Sequence, residues 1–142
     1  MEPGILGIVL DSSVLIAAER RKLTATQAIA SIQTVVGDLP IVLSAVTVAE
    51  IGHGIYRANT PAIRQRRRAF LDDLKATVPI FPLTESTAEI IARIGGEQAA
   101  LGNSLPLADL QIGACALELQ YAIGTSNERD FSRIPDLKLV PL

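Results

Sequence analysis

The hydrophobic positions of this chain fall into two alternating patterns. Five short, nearly uninterrupted apolar runs are typical of strands that are buried on both faces of a sheet; they are GIVLD (7–11), PIVLS (40–44), VPIF (78–81), YAIGTS (121–126) and LKLVPL (137–142). Longer segments with apolar residues at helical spacing lie between them; they span 12–22, 24–38, 46–58, 60–77, 84–102 and 105–120. This order predicts an α/β fold with a mostly parallel central sheet and helices on both of its faces.

Cap residues support several of these helix boundaries. Ser12 or Ser13 is available to cap the first helix, and Thr60 followed by Pro61 is a favourable start for the fourth. Gly37 is expected to end the second helix, because glycine readily adopts the backbone conformation found just after a helix.

The composition is that of one folded domain, predicted to span residues 1–142. Hydrophobic residues make up 49% of the chain and charged residues 20%, with a net charge of -2. No apolar run approaches the roughly 20 residues needed to cross a bilayer, and the first run is too short for a signal peptide. A single cysteine, Cys115, suits a reducing compartment. We therefore expect a cytoplasmic protein without a membrane segment, which would bind nucleic acid only through local basic patches.

One acidic residue is placed where an unpaired charge would be costly. Asp11 lies between the first buried strand and the first helix. A carboxylate in such surroundings must be hydrogen-bonded, paired or bound to a metal. In parallel α/β sheets, ligands bind outside the carboxyl ends of the strands, and Asp11 follows such an end.

Three further polar residues share these surroundings, namely Glu50, Asp109 and Asn127. Each has an ordinary alternative explanation: a solvated helix residue, a first-turn acid favoured by the helix dipole, and a turn residue, respectively. Together, however, three carboxylates near strand ends would repel one another unless a cation joined them. Oxygen ligands without histidine or cysteine suit Mg²⁺ or Mn²⁺ better than Zn²⁺.

Other types of catalytic site are excluded by the histidine count. His53 is the only histidine in the chain. The chain therefore lacks the residues for a Ser-His-Asp triad, for a two-histidine zinc helix and for a di-iron helical bundle.

Four sequence blocks, in this order and spacing, resemble the PIN-domain family. They are IVLDSSVLIA (8–17), LSAVTVAEIGHGI (43–55), LPLADLQIGACAL (105–117) and GTSNERDFSRIPDLKLV (124–140). Within the family, the chain is similar to the VapC toxin branch of bacterial toxin–antitoxin pairs. The resemblance implies a Rossmann-like PIN domain and a metal-dependent endoribonuclease that uses Mg²⁺ or Mn²⁺.

The resemblance also implies which acids form the site. Asp11, Glu50 and Asp109 match the first three acids of the family and are expected to be catalytic and metal-binding. Many members have a fourth acid after the penultimate strand. Here Asn127 occupies that place, and Asp130, three residues further on, is the alternative metal ligand.

From these matches we derive a role for each side chain. Asp11 and Asp109 are expected to bind one ion directly, while Glu50 binds the metal or its water and can accept a proton from that water. The hydroxyl groups of Ser13 and Thr47 are expected to orient the carboxylates.

Arginines are the candidates for binding RNA, because the planar guanidinium group can bind two phosphate oxygens at once. The candidates lie at the end of the first helix and along the fourth; they are Arg20, Arg21, Arg64, Arg67 and Arg68. A solvated helix face, or contact with an acidic segment of a partner, would explain the same residues.

Two partners follow from the resemblance: a VapB-type antitoxin and a second copy of the chain in a homodimer. A different functional class also remains open. A catalytically inactive PIN-fold module that binds another protein would fit the replacement of the fourth acid by Asn127.

Overall fold

The predicted alternation of strands and helices is confirmed by the computed structural model, which describes residues 4–142. The strands are β1 (Ile8–Leu10), β2 (Ile41–Ser44), β3 (Ile80–Phe81), β4 (Ala122–Thr125) and β5 (Leu139–Pro141). The α-helices are α1 (Ser12–Arg20), α2 (Ala25–Val36), α3 (Ala45–Tyr56), α4 (Pro61–Thr77), α5 (Glu85–Ala100) and α6 (Leu107–Leu119), and a 3-10 turn covers Glu128–Phe131. None of these helices is long and apolar enough to span a membrane.

The five strands form one parallel sheet in the order β3-β2-β1-β4-β5. From β1 the chain winds to one side through β2 and β3, and it then returns to place β4 and β5 on the other side. The winding direction therefore reverses between β1 and β4. In open α/β sheets a crevice forms at this point, outside the carboxyl ends of the strands.

Each face of the sheet has its own hydrophobic core. Ile8 and Leu10 of β1 pack with side chains of α1 to α4, whereas Val9 points to the other face. On that second face, Val9 and Ile123 pack with Ile94 of α5 and with side chains of α6. Side chains of a strand alternate between the two faces, so the fully buried run of β1 serves both cores.

One of the predicted helix caps, that of α1, is wrong. The Thr60 side chain accepts a hydrogen bond from the Ile63 N–H, as predicted for α4. In α1, however, neither serine is the cap: Asp11 is the N-cap residue, and its side chain makes no capping hydrogen bond. The Ser13 hydroxyl instead donates to the Asp11 carboxylate.

Gly124 permits the close packing of β4 against β1 and the C-terminus. A Cβ atom at this position would lie 2.7 Å from Leu142 Cδ1 and 2.9 Å from Ile8 Cγ2. Real Cβ atoms do not approach other heavy atoms this closely. The absence of a side chain at Gly124 is therefore required by the packing around it.

We predict that Gly124→Ala lowers the free energy of unfolding by about 1–3 kcal/mol, because the added methyl group overpacks the core. The matched control is Gly96→Ala in α5, where a Cβ would meet no atom within 4 Å. There the substitution should stabilise by roughly 0.4–1 kcal/mol. Urea unfolding of both variants measures these changes, and equal effects at the two positions would contradict this packing account.

Candidate active site

Asp11 is a buried carboxylate that is held by donors from two elements. Asp11 directly follows β1, and only 5% of the residue is exposed. Its backbone N–H donates to the Gly124 carbonyl of β4 at 2.9 Å. The Ser13 hydroxyl donates to Asp11 Oδ2 at 2.6 Å, and the Thr125 hydroxyl donates to the same oxygen at 3.0 Å. Both donors use Oδ2, so Oδ1 remains available for another ligand.

Thr125 was not predicted as a site residue. Leu10 pairs with Gly124 in the parallel register, so the next residues, Asp11 and Thr125, are neighbours at the sheet edge. Thr125 is fully buried and also accepts a hydrogen bond from the Asn127 N–H at 2.9 Å. The only sequence signal was its position at the end of a strand.

Glu50 lies on α3, with one oxygen buried and without a partner. Its Oε1 is among the buried side-chain atoms that make no hydrogen bond within residues 4–142. Burial raises the pKa of Glu50, the Ser12 side chain acts in the opposite direction, and the charge of Asp11 raises the pKa further. Because the Asp11 charge affects Glu50, the two carboxylates lie near each other.

Thr47 does not make the contact that was predicted for it. Its side chain is fully buried on α3, and its hydroxyl oxygen has no hydrogen-bond partner in the described part of the chain. Thr47 therefore does not orient a carboxylate in this structure, whereas Ser13 makes the predicted contact with Asp11.

Asp109 lies in the first turn of α6, close enough to Asp11 and Glu50 for their charges to act on its carboxyl group. The pKa of its carboxyl group is raised from 3.8 to about 6, mostly by burial and in part by the charges of Asp130, Asp11 and Glu50. The helix dipole would lower the pKa of an acid in this position. The increase therefore shows that desolvation and repulsion by the other carboxylates dominate at Asp109.

The segment after β4 carries both candidates for the fourth position. Asn127 and Asp130 are exposed, and the Asn127 side-chain amide donates to Asp130 Oδ2 at 3.0 Å. Of the three carboxylates that raise the pKa of Asp109, Asp130 has the largest effect. Asp130 thus faces Asp109, and Asn127 orients Asp130.

The donor chemistry of this crevice fits a hard divalent cation. Free carboxylate oxygens on Asp11 and Glu50 are ligands of the kind that Mg²⁺ and Mn²⁺ take. In residues 4–142, however, no three His, Cys, Asp or Glu side chains are arranged so that they could hold an ion directly. Mg²⁺ usually retains several waters between itself and the protein, so it does not need three direct protein ligands. The ligand set therefore stays a prediction.

The predicted RNA-binding arginines lie in three different surroundings. Arg68 lies 3.5 Å from Asp72 and donates to the Tyr56 hydroxyl, and Arg64 contacts only the Ala58 carbonyl. Arg20 and Arg67, in contrast, line a cavity of about 120 Å³ whose wall includes Glu50. Arg21 is exposed and lines a different, largely apolar groove between α1 and α2.

We predict that Asp109→Asn stabilises the metal-free protein at neutral pH. Between pH 3.8 and about 6 the folded state binds more protons at Asp109 than the unfolded state does, so stability falls as pH rises through this window. In EDTA, the melting temperature of Asp109→Asn should exceed that of the wild type at pH 7, and this advantage should disappear near pH 4. Asp38→Asn, at an exposed turn position, is the control. A melting temperature below that of the wild type for Asp109→Asn at pH 7 would show that the other carboxylates do not repel Asp109.

Comparison with known proteins gives the family that the four sequence blocks resemble. A model of the PIN domain matches residues 8–137. Ribonuclease VapC of Rickettsia bellii is 30% identical over 139 residues, which cover 96% of this chain and 98% of that protein.

Among solved structures, VapBC2 from Rickettsia felis, bound to a DNA fragment from its promoter, superposes with a TM-score of 0.80. It is 18% identical and covers 94% of this chain and 97% of its own, so it supports the fold alone. VapBC-5 from Mycobacterium tuberculosis, a member of the VapBC family of toxin-antitoxin systems, has a TM-score of 0.74 and 25% identity, covering 96% of this chain and 99% of its own. With its family match over residues 8–137 and its full-length VapC relative, the chain belongs to the PIN-domain family, in its VapC branch.

Proposed function

We propose that this chain is an endoribonuclease, dependent on Mg²⁺ or Mn²⁺, that acts as the toxin of a toxin–antitoxin pair. The observation that carries the proposal is the buried Asp11 carboxylate at the carboxyl end of β1, whose Oδ1 stays free while Ser13 and Thr125 hold Oδ2. The buried and unpartnered Oε1 of Glu50 is a second free carboxylate oxygen. The relative named Ribonuclease VapC, which matches along almost its full length, supports RNA as the substrate.

The carboxylates divide into those that hold the cation and one that moves a proton. Asp11 and Asp109 would bind the ion, with Asp130 completing the shell directly or through water. A bound divalent cation supplies a Lewis acid for the phosphoryl oxygen and makes water easier to deprotonate. Glu50 would accept the proton of the attacking water, and its raised pKa makes it a better base than an ordinary carboxylate.

Neighbouring groups fix the orientation of these carboxylates. Ser13 and Thr125 hold Asp11 Oδ2 and thereby direct Oδ1 towards the crevice. Asn127 does the same for Asp130. Hydrogen bonds of this type set the geometry of metal-binding carboxylates, and here they come from α1, from β4 and from the segment after β4.

A VapB-type antitoxin is the proposed partner. The structural neighbours include complexes of VapBC toxin–antitoxin systems, and the cavity beside Glu50 is lined partly by the apolar side chains of Leu15, Ile51 and Phe70. A partner segment placed there would block access to Glu50. Homodimerisation stays a prediction.

A second candidate is a PIN-fold module that binds a partner without cleaving RNA. The observation in its favour is that no three acids in the described part of the chain are placed to hold an ion directly. The two candidates differ in one property: only the nuclease cleaves RNA when Mg²⁺ or Mn²⁺ is added.

We predict that Asp11→Asn reduces Mn²⁺-dependent cleavage of a general RNA substrate by at least about 100-fold, because the cation loses a ligand. The increase in melting temperature that Mn²⁺ gives to the wild type should also be lost, while the variant remains folded by circular dichroism. Asp38→Asn is the control of equal charge. Full cleavage by Asp11→Asn would remove Asp11 from the mechanism, and RNA binding by the wild type without cleavage in either metal would favour the inactive module.

Thr125 provides a separate test of carboxylate orientation. Thr125→Val removes the donor to Asp11 Oδ2 while keeping the side-chain shape, and we expect Mn²⁺ affinity to fall about 10–100-fold. Thr125→Ser retains the hydroxyl and should restore most of that affinity. Isothermal titration with MnCl₂ measures both, and equal affinities for the Val and Ser variants would show that the hydrogen bond is not needed.

A further inference from the structure

A second cavity opens beside the one that Glu50 lines. It has a volume of about 370 Å³ and is surrounded by three arginines, Arg20, Arg57 and Arg67, together with Asn59. Arg20 and Arg67 line both cavities. The second cavity is thus a cationic continuation of the space next to Glu50.

The positive charge of this cavity is only partly neutralised by the protein, because Arg67 alone of its three arginines pairs with a carboxylate in the described part of the chain. No carboxylate lines it, and within residues 4–142 neither Arg20 nor Arg57 forms an ion pair. Glu19, which lines the adjoining cavity, is bound at 2.9 Å by Arg66 and lies 3.9 Å from Arg67. Three guanidinium groups around one cavity repel one another, so an anion placed among them would be favourable.

The arginines extend outward from the candidate active site. Arg57 follows α3 directly and lies seven residues after Glu50, which is about two helical turns or roughly 10 Å along the axis. Arg67 is fixed between these two positions, because its Nη1 donates at 2.7 Å to the Gly54 carbonyl, one turn beyond Glu50. The helix dipole also favours a positive charge just after the end of a helix. This accounts for the position of Arg57, but it does not explain why three arginines line one cavity.

We propose that this arginine cavity, defined by Arg20, Arg57, Asn59 and Arg67, binds a backbone phosphate of the RNA strand next to the phosphate that is cut. The proposal rests on the ribonuclease function proposed above. RNA is favoured over an acidic protein segment because the cavity continues directly into the one that Glu50 lines. If an RNA strand is cut next to Glu50, its neighbouring phosphates lie within reach of these arginines. Arginine forks and an amide are suitable donors to phosphate oxygens.

The test measures binding of a fluorescein-labelled, single-stranded RNA of mixed sequence to the full chain. Asp11→Asn is the background, so that binding is observed without cleavage. Three variants are made in this Asp11→Asn background: Arg57→Gln, the double variant Arg20→Gln with Arg57→Gln, and the control Arg93→Gln. Arg93 is exposed on α5, on the other face of the sheet, and its substitution removes the same charge.

We expect Arg57→Gln to raise the Kd for RNA roughly three- to tenfold, and the double variant to raise it further. The slope of log Kd against log salt concentration should fall by about 0.7 for each phosphate that the variant no longer binds. In the otherwise wild-type chain, Arg57→Gln should raise KM for RNA cleavage and leave kcat nearly unchanged, because Arg57 contacts a phosphate that does not react. Arg93→Gln should change none of these values.

Two results would overturn the proposal. One is an unchanged Kd and an unchanged salt slope in the double variant while the wild type still cleaves RNA, which would leave the ribonuclease function intact. The other is unchanged RNA binding together with weaker binding of poly-glutamate, which would assign the cavity to an acidic protein segment. Failure of the ribonuclease proposal is seen separately, as a wild-type chain that cleaves no RNA in Mg²⁺ or Mn²⁺.

Discussion

The structure depends on how one buried carboxylate is held between two parallel strands. Asp11 is bound to β4 through its backbone, by its N–H to Gly124, and through its side chain, by the Thr125 hydroxyl. Because β1 and β4 flank the point where the winding of the sheet reverses, these hydrogen bonds place a negative charge at the crevice that α/β folds use for ligands. The packing that allows this requires a residue without a side chain at Gly124.

Repulsion among the acids is the second constraint. Glu50, Asp109 and Asp130 join Asp11 from three other segments of the chain, and the charges of the other three raise the pKa of Asp109. A cluster of this kind destabilises the fold without a counterion, and it gains stability when a cation binds the folded state. Binding of the proposed cation would therefore stabilise the folded protein. Arg20, Arg57 and Arg67 lie around the arginine cavity, and among the described residues no arginine forms an ion pair with these four acids.

The sequence predicts most of the framework, because short apolar runs and helical spacing identify β1 to β5 and α1 to α6. Asp11 could also be found from the sequence, as a charge at a strand end. The contribution of Thr125 could not be predicted from the sequence, because it depends on the register of β1 against β4. Whether Asn127 or Asp130 takes the fourth position stays a prediction. The sequence did not show that the 3-10 turn after β4 brings these two side chains within hydrogen-bond distance of each other. Arg57 lies outside the basic run of α4, so only the fold shows that it shares a cavity with Arg20.

The central claim is that acids from four separate segments converge on one divalent cation. Crystals of the protein soaked in MnCl₂ test it directly, through the anomalous scattering of manganese. The account predicts a peak in the crevice, within about 2.5 Å of carboxylate oxygens of Asp11 and Asp109. A well-ordered crevice without such a peak at millimolar MnCl₂, or manganese bound only elsewhere on the surface, would contradict it.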